Sequence, residues 1–239
     1  MTEKYSNYAE IKSAITAARD EGYKAFNDRI ANCDYATVGV RIPVLKRIAK
    51  CADLSCRDRI LADFFADEEK TFETVLVAGL IASRKGDYGA TREYLRRVIP
   101  LFGSWAHPDC IMPWLGWVDP DEFLADFAYL LDCDGQYEVR TYIIYMFDCL
   151  TDDKIDFVLE TLGKVRYGAY YVDMGAAWLL AECLVKFYDK TLPIFTRGVL
   201  PPFVHNKAIQ KARESYRVPS ETKEYLNTLK RKSEKVNKR

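Results

Sequence analysis

Apolar residues in this chain recur at helical spacing and almost never at the alternation a strand requires. Val139, Tyr142, Ile143, Met146, Phe147 and Leu150 fall at i, i+3, i+4, i+7, i+8 and i+11, one face of an α-helix. Val172, Ala176, Leu179, Leu180, Cys183, Leu184 and Phe187 trace a second face, and Phe72, Val75, Leu76, Gly79 and Leu80 a third. No run alternates with period two for long enough to bury one side of a sheet. The pattern leaves an all-α fold.

Breakers punctuate these stretches at Gly39, Pro43, Gly86, Gly103, Pro108, Pro120, Gly135, Gly168, Pro193, Pro201, Pro202 and Pro219. Between them lie helices of about 10 to 17 residues, arriving in pairs roughly every 35 to 40 residues. Asp119–Pro120 and Pro219–Ser220–Glu221 place caps and first-turn acids where helix N-termini favour them. The spacing suits HEAT-like antiparallel helix pairs stacked into a curved α-solenoid, whose concave surface gathers residues distant in sequence. With 239 residues, 49% of them hydrophobic, the chain can bury one continuous core. We expect a single domain over residues 1–231 and a frayed basic tail over 232–239.

Several function classes fall away on composition. No stretch reaches the roughly 18 to 20 apolar residues that span a bilayer, and the first residues lack a signal peptide's apolar core. A soluble, cytoplasmic protein without a membrane partner is expected. Seven cysteines stand singly with no C-x-x-C, which reads as reduced, mostly buried thiols. With only His107 and His205 available, a Cys/His metal site has too few ligands, so no metal is expected. Net charge is zero, yet the charges are segregated. From Arg41 to Arg59 six bases face two acids, from Asp119 to Glu138 there are seven acids and no base, and from Lys207 to Arg239 eleven bases face four acids. Such segregation gives a polyanion one basic face to bind; solvated helix faces and a basic tail explain it equally well.

Four residues exceed what helical packing requires: Trp105, Asp109, Arg140 and Trp178. In GSWAHPDCI, Ser104 is a credible N-cap, and Trp105 and Asp109 share a face at i, i+4 near the positive end of the helix dipole. An ionised carboxylate there stabilises a developing cation and orients an attacking water, or it merely caps the turn. Arg140 flanks its helix's apolar face, where a guanidinium clamps a phosphate or pairs with Glu138. Trp178 shares a stripe with Met174 and Glu182 beside Gly175, Ala176 and Ala177, as a stacking platform or a core residue. His107, Asp109 and Cys110 suggest a nucleophile and base, but neighbouring helix positions point in different directions. Phosphate-loop, dinucleotide and nucleophile-elbow motifs are absent from the sequence. Trp114, Trp117, Tyr170 and Tyr171 are open to packing or groove-lining roles.

Five segments in order resemble the AlkD family of bacterial DNA glycosylases, built from HEAT-like repeats. They are VGVRIPVLKRIAK, SWAHPD with its W-x-x-x-D spacing, YEVRTYIIYMFD, YYVDMGAAWLLAECLVKF, and HNKAIQKARESYRVPSETKEYLNTLKR. The resemblance covers about residues 8 to 231. It implies hydrolysis of the N-glycosidic bond of cationic N3- or N7-alkyl purines in duplex DNA, in the bacterial cytosol or nucleoid. It also implies a monomer that needs no cofactor, no obligate protein partner and no flipping of the lesion into a pocket. By that resemblance Trp105 and Trp178 contact the deoxyribose, Asp109 stabilises the oxocarbenium ion and positions water, and Arg140 holds the adjacent phosphate. Arg41, Lys46, Arg47 and Lys50 then supply salt-sensitive phosphate contacts, with Lys207 and Lys211 as further DNA-binding candidates. The alternative is a non-catalytic HEAT-like module that binds nucleic acid or scaffolds a protein.

Overall fold

A computed structural model describes residues 4–232, so residues 233–239 of the expected tail lie outside the described residues. Among the described residues there are 14 α-helices and no strand; the nearest approach to one is an isolated bridge between Tyr5 and Ala52. No helix is long and apolar enough to cross a membrane. The chain forms two compact units, residues 1–122 and 123–239.

The first unit contains α1 (Tyr8–Ala17), α2 (Glu21–Ile30), α3 (Ile42–Cys51), α4 (Arg57–Ala66), α5 (Phe72–Ala82), α6 (Tyr88–Val98) and α7 (Ala106–Ile111). Their starts follow from local chemistry. Asn7, Asp20, Thr71 and Asp87 each accept a backbone N–H from the first turn of α1, α2, α5 and α6. Thr71 and Thr74 cap α5 reciprocally. Every residue of α5 is buried, so the apolar face read from its sequence is in fact the whole circumference of a central helix. It packs against α3, α4, α6 and α7. By contrast, α2 buries only Asn27 and leaves Phe26 and Ile30 exposed.

Helix α8 (Pro120–Asp126) begins where Asp119 accepts the amides of Asp121 and Glu122, as its sequence anticipates. The second unit continues with α9 (Gln136–Tyr145), α10 (Ile155–Lys164), α11 (Tyr170–Lys186), α12 (Tyr188–Arg197), α13 (Pro202–Glu214) and α14 (Ser220–Thr228). Helix α11 is its centre, packing most extensively against α13 and α9. Phe123 stacks on Tyr145 at 3.6 Å and on Phe127 at 4.5 Å, closing the core beneath α9.

Some sequence expectations need correction. The helical face read over residues 139–150 is α-helical only to Tyr145 and then tightens into a 3-10 turn, Met146–Cys149. Pro108 and Pro193 lie inside α7 and α12, not at their ends. Pro108 is tolerated because it sits in a first turn, where its missing N–H has no intrahelical carbonyl to reach. Helices α7 and α8, of six and seven residues, are shorter than the expected range. Helix α14 starts at Ser220 without a side-chain cap. Of the seven free cysteines only Cys149 and Cys183 are buried; the other five are half-buried.

Candidate functional site

The Trp105–Asp109 turn is held from below. Gly103 packs bare against Tyr35, whose ring a Cβ would meet at 2.8 Å, and its carbonyl accepts the Asp34 amide at 2.9 Å. The Ser104 hydroxyl donates to the Ala31 carbonyl at 2.6 Å, which ties the turn to the end of α2. His107 is fully buried and stacks on Phe72; its Nδ1 accepts the Gly103 amide at 3.2 Å and its Nε2 bonds the Phe72 carbonyl at 3.0 Å. Burial pushes its pKa down to about 4, so the ring is neutral near pH 7. Both nitrogens are thus committed to backbone, which removes His107 from any nucleophile–base pair with Cys110.

On this base, the Trp105 indole N–H donates to the Ile30 carbonyl at 3.1 Å, fixing a half-exposed ring against α2. The Asp109 amide reaches the Trp105 carbonyl at 3.4 Å, so Pro108 leaves the turn between them intact. Asp109 is half-exposed. Helix α7 starts at Ala106, and the Ser104 hydroxyl accepts the Ala106 amide at 3.4 Å, so Ser104 caps the turn one residue before Trp105, as its sequence suggests. A fully buried hydroxyl must find an acceptor, and the Ala31 carbonyl supplies it.

The basic stretch is divided. Arg41 lies over the Tyr23 ring at 4.9 Å and pairs with Asp20 through Nη2 and Nε at 3.0 and 3.2 Å. Burial raises the pKa of the half-buried Cys110 thiol, and the positive charge of Lys46 on α3 offsets part of that rise. Arg47 and Lys50 are exposed on α3, Lys50 at 5.9 Å from the Trp114 ring. Arg47 also borders an open groove of about 990 Å³ between α1 and α3. Trp117, by contrast, is tied to the Ser83 carbonyl.

Sequence reading passed over Glu73. Its carboxylate is fully buried and accepts the amides of Val38, Gly39 and Val40 at 2.8, 2.7 and 3.2 Å. It fixes the loop that leads into α3 and its cations. Gly39 there has φ +95°, and a Cβ would meet that of Lys24 at 2.4 Å. The signal was available: Glu73 is the lone acid in the apolar run FETVLVAGLIA.

In the second unit, Arg140 is 5% exposed and its Nη1 donates to the Tyr171 carbonyl at 2.7 Å. Gly175 of α11 makes room for it, since a Cβ there would lie 3.0 Å from the same nitrogen. Trp178 stands on the surface of α11, 38% exposed, braced by Phe147 at 4.6 Å between ring centroids. One turn on, Glu182 holds Arg217 at 2.7 and 2.8 Å. Asp173 is turned inward: it is buried and accepts the Gly168 amide at 2.9 Å, and burial raises its pKa. Lys207 and Lys211 are half-buried one turn apart on α13, Lys207 bonded to Gln210. The structure thus joins Trp105 to Asp109 in one unit, and Arg140 and Trp178 through α11 in the other. Among the described residues no three His, Cys, Asp or Glu side chains cluster as metal ligands.

Comparison with protein-family models, curated proteins and solved structures finds no match for this chain.

Proposed function

We propose that this chain is a monofunctional DNA glycosylase that hydrolyses the N-glycosidic bond of cationic N3- or N7-alkyl purines in duplex DNA, leaving an abasic site. The observation that carries the reading is the half-exposed Trp105–Asp109 turn, braced by Ser104 and His107. The bond between C1′ and the purine nitrogen breaks, its electron pair neutralises the cationic base, and the deoxyribose becomes an oxocarbenium ion. Water adds to C1′ and loses its proton, with Asp109 stabilising the cation and orienting that water. A cationic base is already a good leaving group, so the chemistry needs no general acid. The reaction uses no metal or organic cofactor.

Trp105 in the first unit and Trp178 in the second are each assigned a ring contact with deoxyribose, and Arg140 is assigned to phosphate. Lys46, Arg47, Lys50, Lys207 and Lys211 add salt-sensitive contacts, with Arg41 once it exchanges Asp20 for phosphate. We read the fold as HEAT-like pairs on the packing within each unit: α5 lies against α3 and α7, and α11 against α9 and α13. The second reading, a non-catalytic HEAT-like module that binds nucleic acid or protein, draws support from the burial of Arg140 and the Arg41–Asp20 pair. Release of 3-methyladenine or 7-methylguanine from methylated duplex separates the two. Asp109→Asn is expected to lower release by at least about 100-fold, a loss typical of an electrostatic stabiliser. Release at the wild-type rate would refute the mechanism.

A further inference from the structure

Tyr216 is the most exposed large apolar side chain described, with a relative exposure of 102%, and the loop that carries it is held in place. After α13 ends, the Ser215 amide donates to the Ala212 carbonyl at 3.2 Å and the Arg217 amide to the Ser215 hydroxyl at 3.3 Å. Val218 is buried, and Arg217 is tied to Glu182 on α11. Tyr216 itself makes no hydrogen bond or ring contact among the described residues. The ring is wholly in water, so both its faces are open to a contact outside the unit.

Its surroundings specify that contact. Nη2 of Arg217 makes both bonds to Glu182, which leaves Nε and Nη1 unused among the described residues. Glu182 is four residues beyond Trp178, on the same face and about 6 Å along the helix axis. An exposed Trp and a guanidinium with free donors are thus linked through Glu182, and the exposed Tyr is the chain neighbour of that guanidinium. Aromatic faces interleaved with cationic donors suit the sugar–phosphate strand and unstacked bases of a nucleic acid. Pinning Arg217 with a carboxylate keeps its fork oriented while two sides of it stay open.

We propose that Tyr216 and Arg217 form a second DNA contact of this unit, the Tyr216 ring against a sugar or base and Arg217 Nε and Nη1 on a neighbouring phosphate. The inference rests on the DNA-directed reading above and adds a footprint beyond Trp178. The experiment is a titration of fluorescein-labelled duplex by fluorescence anisotropy at low salt. Tyr216→Ala should weaken binding at least about fivefold, the lower end of a stacking contact. Tyr216→Phe and Tyr216→Trp should bind like wild type, and the indole emission added by Tyr216→Trp should be quenched as DNA is added. Removing a fully exposed side chain should leave the circular dichroism melt unchanged. Equal affinity of Tyr216→Ala and wild type, with Asp109→Asn still slowing base release, overturns the contact and leaves the glycosylase reading standing. Absence of DNA binding by the wild-type chain overturns both.

Discussion

Replacing Glu73 by glutamine tests whether the loop before α3 is held by a buried charge. Oε1 accepts the amides of Gly39 and Val40, and Oε2 accepts that of Val38. Glutamine has one acceptor oxygen. If it keeps the Gly39 and Val40 bonds, its NH₂ group faces the Val38 N–H, donor against donor. A hydrogen bond to a charged group contributes about 1.5–3 kcal/mol, and the two retained bonds lose their charge assistance. Relief from burying an ionised group offsets part of this. The net loss is about 2–3 kcal/mol, which lowers the melting temperature by about 5–10 °C. Glu73→Ala, which leaves all three amides without this acceptor, should cost more. The assay is thermal melting by circular dichroism together with hydrogen exchange at Val38–Val40. Those three amides should exchange faster than the helical amides of α5. An unchanged melt with unchanged exchange, or an alanine variant no worse than the glutamine one, would refute the reasoning. DNA affinity should fall alongside, because the same loop sets the position of Arg41 and the start of α3.

Two further outcomes follow from particular contacts. His107 refuses a proton down to about pH 4 while the unfolded imidazole accepts one near 6.5, so its contribution is fully present above that range. About 3 kcal/mol of stability is then lost as pH falls between those values, and His107→Gln should flatten a pH series of chemical denaturation across that window. Gly175→Ala places a methyl 3.0 Å from Arg140 Nη1, whereas Gly163→Ala meets nothing within 4 Å. Gly163→Ala should stabilise by about 0.5–1 kcal/mol without changing base release, and Gly175→Ala should slow release several-fold; equal rates would free Arg140 of a role.

Much of the helical content was legible because periodicity is a local property. Val172 to Phe187 match α11 closely, and Asp119 caps α8 as its position before Pro120 suggests. The site was legible in part. Trp105 and Asp109 share a turn as their spacing requires, and Trp178 is exposed at the edge of an apolar face. Arg140 is expected from its helix to flank the apolar face with its guanidinium open to a phosphate, and it is enclosed. Nothing in its own helix reveals that, because Gly175 on α11 makes the space and Tyr171 supplies the acceptor. Ser104 shows the same limit: its local pattern gives the bond from the Ala106 amide, while the Ala31 carbonyl that its hydroxyl also reaches lies 73 residues away.

By itself the sequence determined that the chain is helical and where helices such as α8 begin. Those follow from interactions within four residues, where side-chain period and capping act. Tertiary structure alone decided that α5 is buried on every side, that Glu73 fastens a loop some 35 residues away, that His107 is a neutral brace, and that Asp173 points inward. Burial and long-range hydrogen bonding set these, and both depend on which segments meet in space, which no local pattern encodes.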